Sequence, residues 1–252
     1  MTSSEAPYAG RPESEWAEIT RHVVATHPLG LCDLREVVLA AWGHLWSIRL
    51  TTSAGETGLG ELGTVPAQVV SYLLEQLIGL ELTHRHPKRW RRGATGEDKD
   101  LVYTADTRFS VEVKCSGQKG DQIYGNRSYA QVGQSTKKSK SGYYLTINFH
   151  ERDLFLIRFG WVDESDWRGQ DAPTGQMASL SRAVYDFKLL PIPGEYRANA
   201  PVCVLPGVGR KTADPLHAQG IVTIRDLLAW PDCPDELRTR ASDWLARAQC
   251  SP

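Results

Sequence analysis

Three polar residues in the stretch 98–117 have the types and spacing that phosphodiester chemistry requires. Two runs rich in β-branched and aromatic residues, LVYTA and RFSVEVKCS, are separated by a plausible turn and predict a β-hairpin. Alternation along the second run places Glu112 and Lys114 on one face of the strand. Asp100 opens the first run, so the hairpin would bring its carboxylate level with Glu112.

Two carboxylates and a lysine at this spacing favour a metal-assisted hydrolytic site. Asp100 and Glu112 can hold Mg²⁺ while leaving part of its oxygen shell to waters and a phosphate, and the Val113 carbonyl could add an oxygen. The ion would offset charge on the scissile phosphate and help to generate hydroxide. Lys114 could orient the attacking water, or accept its proton if its pKa were depressed.

The tripeptide alone is weak evidence. The chain has nine lysines, and the pattern [DE]-x-K occurs three times, at 97–99, 112–114 and 186–188. The alternative interpretation of Glu112 and Lys114 is a solvated strand face with a weak ion pair. Only the middle copy lies in an alternating strand that follows an aspartate at the start of the preceding strand.

These residues resemble the PD-(D/E)xK nuclease superfamily, with Asp100 as the aspartate and 112–114 as the ExK; Lys99 stands where a proline is usual. The resemblance implies an α/β fold in which a helix, three strands, a second helix and a further strand form the core. We expect the first strand near residues 81–90. It also implies that a glutamate on the helix before the motif, for which Glu75 is the candidate, points toward the metal; the alternative is an ordinary exposed glutamate.

Composition limits the classes of protein that this chain can belong to. At 252 residues and 41% apolar content it can form one large domain, or a domain of about 200 residues with a small appendage. It has no run of 18 apolar residues, and its first 18 residues lack the basic and apolar regions of a signal peptide, so we expect a cytoplasmic protein. Five scattered cysteines without a CxxC pair argue against disulfides or structural zinc.

Basic charge is concentrated around the predicted site. Residues 84–142 carry 13 basic and 6 acidic side chains, a net +7, although the whole chain has a net charge of −1. Such asymmetry suits a protein that meets a phosphate backbone with one face. Candidate phosphate contacts before the motif are Arg89, Arg91 and Arg92, and after it Lys137, Lys138 and Lys140. Candidate contacts to base edges are Asn126, Arg127, Gln131 and Gln134.

Longer strings narrow the resemblance to one family. DKDLVY, FSVEVK, YGNRSYAQ and KKSKSGYYLTINF together resemble the ScaI-type family of type II restriction endonucleases, over roughly residues 60–165. This resemblance implies a Mg²⁺-dependent enzyme that cleaves double-stranded DNA at a short palindrome and leaves 5′-phosphates. It further implies a homodimer, whose two-fold axis would match the palindrome, and a cognate DNA methyltransferase encoded nearby.

Apolar periodicity predicts the helices that support this site. One helix covers 13–26, a second begins with Asp33 as its cap, and a third follows Thr64 as cap and Pro66. The third helix carries Glu75 beside its apolar stripe. YYLTINF and DLFLIRFGWV predict two further strands.

A second motif lies near the C-terminus, in residues 202–230, where LPGVG precedes a possible helix. The segment resembles a helix-hairpin-helix, which binds DNA phosphates irrespective of sequence. Its glycines would expose backbone N–H groups at a helix N-terminus. The candidate contacts are Gly207, Gly209, Lys211 and Thr212. Two departures weaken the resemblance, since Pro201 leaves little room for the first helix and Pro215 should interrupt the second. The alternative is a helical hairpin used for packing.

The sequence therefore predicts an α/β protein with a restriction-endonuclease-like mixed sheet flanked by helices and a small C-terminal helical module. We expect a disordered N-terminus over 1–15, a nuclease domain over 16–195 and the helix-hairpin-helix-like module over 196–252. Alternatives are a structure-specific repair nuclease, whose GDx(n)ERK signature is absent, a modification-dependent nuclease, or a catalytically silent DNA-binding protein.

Overall fold

The computed structural model describes residues 6–126, 139–169 and 177–246. The helices are α1 (Glu13–Ala25), α2 (Leu31–Trp46), α3 (Ala67–Arg85), α4 (Arg210–Ala218), α5 (Ile224–Ala229) and α6 (Asp235–Ala246). The first six strands are β1 (Arg49–Thr52), β2 (Gly55–Gly58), β3 (Trp90–Arg92), β4 (Leu101–Tyr103), β5 (Val111–Ser116) and β6 (Tyr124–Asn126). The remaining strands are β7 (Gly142–His150), β8 (Asp153–Val162), β9 (Trp167–Gly169), β10 (Met177–Leu180) and β11 (Leu189–Pro191).

A six-stranded mixed sheet forms the centre of the protein, in the order β11-β8-β7-β5-β4-β3. Strands β5 and β7 are parallel, and the other neighbours in this sheet are antiparallel. The long strands β7 and β8 are buried along almost their whole length, as their apolar sequences require. Helices pack on this sheet, so the predicted α/β fold is confirmed.

Helices α1, α2 and α3 cover one face of the sheet. Val38 of α2 and Leu74 and Ile78 of α3 are fully buried in the same apolar cluster as Val111 and Val113 of β5. Because β5 alternates, burying these two valines turns Glu112 and Lys114 toward the opposite face. The packing of α3 on the sheet therefore determines which face of β5 presents the charged residues.

Other elements cover the opposite face. The small sheet β6-β10-β9 packs there around Tyr144 and Val162. The C-terminal helices share a core with Phe155 and Leu156 of β8, so they pack directly on the central sheet. None of the helices in the described ranges has the length and apolar character needed to cross a bilayer.

Two predicted helix caps are wrong. Helix α2 begins at Leu31 after Gly30, so Asp33 lies in its first turn, where a carboxylate interacts favourably with the helix dipole. Helix α3 is preceded directly by Pro66 rather than by Thr64. A proline disfavours helical geometry in the residue before it, so this helix cannot include Val65.

The N-terminus and the first strand also differ from expectation. Disorder over 1–15 is wrong for residues 8–15, because α1 begins at Glu13 and Tyr8 is buried, with its hydroxyl 2.7 Å from Thr20 Oγ1. The first strand of the motif is β3, which begins at Trp90, at the very end of the window 81–90. Residues 81–85 continue α3 instead.

Candidate active site

The antiparallel pairing of β4 with β5 places the two carboxylates side by side. Leu101 pairs with Val111, so Asp100 lies opposite Glu112, as the hairpin pattern predicts. Strand β4 covers only the first three residues of the predicted run LVYTA. Strand β5 begins later than predicted, because a 3₁₀ turn over Thr107–Phe109 replaces the start of the run RFSVEVKCS. Asp100 Oδ2 accepts a hydrogen bond from the Val113 N–H at 2.7 Å, which fixes the carboxylate at the point where β4 begins.

Glu112 and Lys114 form a buried ion pair. Lys114 Nζ lies 2.8 Å from Glu112 Oε1 and donates a second hydrogen bond to the Val113 carbonyl at 3.0 Å. The Glu112 side chain is 4% exposed and that of Lys114 is 18% exposed. This burial excludes the alternative of a solvated strand face. Holding an ion pair away from water costs free energy, unlike the weak ion pair of a solvated strand.

The electrostatics of the pair favour one of the two roles predicted for Lys114. Burial lowers the pKa of Lys114, but the negative charges of Glu112 and Asp100 outweigh it and raise the pKa above its ordinary value. Lys114 is therefore protonated at neutral pH. This raised pKa favours the ammonium orienting a water or a phosphate oxygen over the alternative of proton acceptance through a depressed pKa.

The oxygen atoms around this edge fit a hard cation. In a strand, the N–H and C=O of one residue point to the same side, so Val113 directs both groups toward Asp100, just before the start of β4. Among the described residues, no three His, Cys, Asp or Glu side chains converge on one point. A cation here would take the carboxylates of Asp100 and Glu112, the Val113 carbonyl and waters, a set typical of Mg²⁺.

Glu75 lies beside this edge. Together with Asp100 it lines a cavity of about 140 Å³ whose walls also include Gln76 and Lys99. Burial raises the pKa of the Cys115 thiol to about 12, and the negative charge of Glu75 contributes to this rise, which places Glu75 close to β5. Glu75 therefore lies near Asp100 and β5, but among the described residues it does not form a three-carboxylate cluster with Asp100 and Glu112, and a role for it at the metal stays a prediction.

The other two [DE]-x-K copies make structural contacts. Lys99 Nζ donates to the Ser139 carbonyl at 2.6 Å. Lys188 is buried and contacts Asp163 and Asp166 at 3.1 and 2.9 Å. In neither of these two described copies does the lysine form an ion pair with its own acidic residue along one strand, as Lys114 does with Glu112 on β5.

The basic segment before the motif is partly engaged within the protein. Arg91 makes a bidentate contact to Asp98 at 2.9 and 3.1 Å. Arg92 contacts Gln76 of α3. Arg89 is exposed. Phosphate contact by these three arginines remains a prediction, and Arg89 needs the least rearrangement to make it.

The segment after β5 lies partly outside the described residues. The backbone of Asn126 belongs to β6, where it pairs with Met177. Five of the predicted DNA contacts lie outside the described ranges: Arg127, Gln131, Gln134, Lys137 and Lys138. The predicted phosphate contact of Lys140 is wrong, because its side chain is buried and forms an ion pair with Glu164 at 3.2 Å.

The C-terminal motif forms a hairpin with a shortened first helix. A 3₁₀ turn over Val202–Val204 replaces that helix, as Pro201 predicts, and LPGVG then leads into α4. Gly207 has φ +75°, a conformation that favours glycine, and Gly209 caps α4. Both glycines and Lys211 are exposed, whereas Thr212 is half-buried.

Pro215 does not interrupt α4, which continues to Ala218, so that prediction is wrong. In a short helix on the surface a proline costs one N–H donor, and packing of Ala213 and Leu216 in the module core holds the remaining turns together. Phosphate contact by this hairpin stays a prediction.

Two residues of the site's own sheet face were missed at the sequence level. Asn148 and Arg158 are buried on β7 and β8. The available signal was Asn148 in the string LTINF and Arg158 as the lone polar residue of LFLIRF, since a buried polar group needs a partner.

Comparison with known proteins shows the family of the chain. The family model for the ScaI restriction endonuclease matches residues 6–193, which include all the residues of this edge of the sheet. The type II restriction enzyme ScaI from Streptomyces caespitosus is 37% identical over 199 residues, which cover 75% of this chain and 86% of that enzyme. The chain therefore belongs to the ScaI restriction endonuclease family, a family of type II restriction enzymes.

Proposed function

We propose that this protein hydrolyses phosphodiester bonds of double-stranded DNA at a short palindromic site, with Mg²⁺ as cofactor and 5′-phosphates as products. The observation that carries the proposal is the buried pair of Glu112 and Lys114, which lies beside an Asp100 carboxylate fixed by the Val113 N–H. Membership of a restriction endonuclease family supports this assignment of the reaction.

Each residue of the site would have a separate role in this reaction. Asp100 and Glu112 would hold Mg²⁺, with the Val113 carbonyl as a third oxygen. The ion, when bound, would offset charge on the scissile phosphate and favour ionisation of water. Lys114, kept protonated by the two carboxylates, would hold the attacking water or a phosphate oxygen in position. Water oxygen would bond to phosphorus as the bond to the 3′ oxygen breaks, and a proton would pass to that oxygen.

Glu75 would act beside the metal rather than as a ligand to it. It shares a cavity with Asp100 and lies on a helix packed against β5. From there it could hold a water between its carboxylate and the site. A variant can distinguish this role from that of the metal ligands Asp100 and Glu112. Glu75→Gln should weaken cleavage without abolishing it.

Further features concern the partners. We propose that Arg89, Arg91, Arg92, Lys137 and Lys138 contact phosphates and that Asn126, Arg127 and Gln131 contact bases. Gly207, Gly209, Lys211 and Thr212 would hold the DNA backbone at the N-terminus of α4, irrespective of sequence. A homodimer would match the two-fold symmetry of a palindrome, and a cognate methyltransferase encoded nearby would protect cytoplasmic host DNA.

The experiment is digestion of unmethylated phage DNA by the purified protein with Mg²⁺, beside an EDTA control, followed by sequencing of the fragment ends. Discrete fragments whose ends share a short palindrome and carry 5′-phosphates are expected. DNA left intact across several unmethylated substrates would contradict the proposal. Cleavage restricted to modified DNA, or to flaps and bubbles, would instead identify one of the alternative nucleases.

A further inference from the structure

The loop that follows the candidate catalytic strand, residues 119–123, is fastened to the rest of the protein at every residue. Side chains from β7, β8, the turn at residues 184–188 and the C-terminal module all reach its backbone. The contacts are Cys203 Sγ to Lys119 O (3.5 Å), Asn148 Nδ2 to Gly120 O (3.4 Å) and Gln122 O (2.8 Å), Arg158 Nη2 to Asp121 O, and Tyr185 Oη to Ile123 O (3.2 Å).

Arg158 is the central member of this network. It is 2% exposed, donates to Asn148 Oδ1 at 2.9 Å and lies over the Tyr185 ring at 4.6 Å, while the Asp121 carboxylate is 4.0 Å away. Burial lowers its pKa to about 10, a sign that holding this charge away from water is costly. A loop that only connected two strands could leave its carbonyls to water at no such cost.

Arg158 lies on the same face of the central sheet as Lys114 of the candidate site, in line with it across the strands. Lys114 of β5 pairs with Thr146 of β7, and Thr146 pairs with Arg158 of β8, so all three project from one face of the sheet. Two strand spacings separate Lys114 from Arg158, roughly 10 Å. Strands β7 and β8 are buried along almost their whole length and paired through β7 to β5, so the loop that they hold has a fixed position relative to Lys114.

This loop leads directly into β6, where Asn126 begins the segment of predicted base contacts. We propose that Arg158 and Asn148 are positioning residues for DNA recognition: they hold loop 119–123, and through it β6, at a fixed position relative to the site of cleavage. The inference rests on the proposed function. It assigns to these two buried residues the task of coupling recognition to hydrolysis.

The test compares Arg158→Lys with Arg197→Lys, a matched control. Arg197 is also 2% exposed, but it anchors α6 by donating to the Leu245 carbonyl and lying over Trp244. Once the wild-type site is mapped, kcat/KM is measured on that site and on duplexes with one base pair changed. Both variants should lower Tm, but only Arg158→Lys should reduce the ratio of cognate to altered-site kcat/KM, by about tenfold or more.

A milder variant covers the case in which Arg158→Lys does not fold. Tyr185→Phe removes only the hydroxyl that contacts both the N–H and the carbonyl of Ile123, and it should reduce the same ratio to a smaller extent. An unchanged ratio in the folded variants, or an equal loss in Arg197→Lys, would overturn the inference. Absence of cleavage by the wild-type protein is a separate result, because it would contradict the proposed function itself.

Discussion

Replacing Lys114 with methionine tests the buried ion pair, because it removes the cation 2.8 Å from a carboxylate that is only 4% exposed. Breaking a buried pair by removing one partner costs about 3–5 kcal/mol. Water reaches the Lys114 end of the pair, which is 18% exposed, so we expect the lower limit, about 3 kcal/mol. For a chain of this size the loss corresponds to a decrease in Tm of about 6–12 °C.

The double variant Glu112→Gln/Lys114→Met separates the pair from a general packing effect. With the carboxylate neutralised, no uncompensated charge stays buried, so this variant should be more stable than Lys114→Met alone. Neither variant should cleave DNA. Thermal unfolding of the three proteins in EDTA is the measurement. A double variant less stable than Lys114→Met, or a Lys114→Met variant as stable as the wild type, would refute the reasoning.

Magnesium provides a second measurement on the same variants. If Asp100 and Glu112 bind the ion, Mg²⁺ should restabilise Lys114→Met by about 1.4 kcal/mol at tenfold its dissociation constant. The double variant, which lacks one carboxylate, should gain less. The pH dependence has a defined sign: because the pKa of Lys114 is raised in the folded protein, its stabilisation is complete below about pH 10.4 and is lost as the pH rises through the folded value.

Three further predictions concern other parts of the fold. Burial lowers the pKa of His27, so the wild type should lose stability as the pH falls below about 6.5 whereas His27→Gln should not; urea unfolding at two pH values checks this. A Cβ at Gly117 would lie 2.6 Å from Ala67 Cβ and 2.7 Å from the Phe149 ring, so Gly117→Ala should cost about 1–3 kcal/mol and lower the cleavage rate, measured by unfolding and digestion. Lys211→Ala should weaken binding equally on cognate and unrelated duplexes and reduce the salt slope by about 1, measured by titration at several salt concentrations.

The charged face of β5 could be predicted from the sequence because it depends on local alternation. Val111 and Val113 are apolar and Glu112 and Lys114 are not, so burying the valines orients the pair wherever the strand lies. The alignment of Asp100 with Glu112 could also be predicted, because it requires only that the two strands form a short antiparallel hairpin. In the structure the two strands pair through Leu101 and Val111, which gives this alignment.

Features that depend on distant contacts could not be predicted. Lys140 has the sequence context of an exposed basic segment, but Glu164 from the far end of β8 covers it. Arg158 and Asn148 lie among apolar residues, and nothing within their own strands identifies the loop that they hold. The start of α3 was misplaced for a local reason, since the constraint of Pro66 on its preceding residue outweighs the capping tendency of Thr64.

Cleavage of a mapped cognate duplex by Glu112→Gln, beside Glu97→Gln, tests the central claim most directly. Glu97 belongs to another [DE]-x-K copy but is exposed, so it is a matched control for loss of one glutamate. Glu112→Gln should bind the duplex and leave it intact with Mg²⁺ present, and Glu97→Gln should cleave at the wild-type rate. Cleavage by Glu112→Gln at the wild-type rate would contradict the assignment of the active site to Asp100, Glu112 and Lys114.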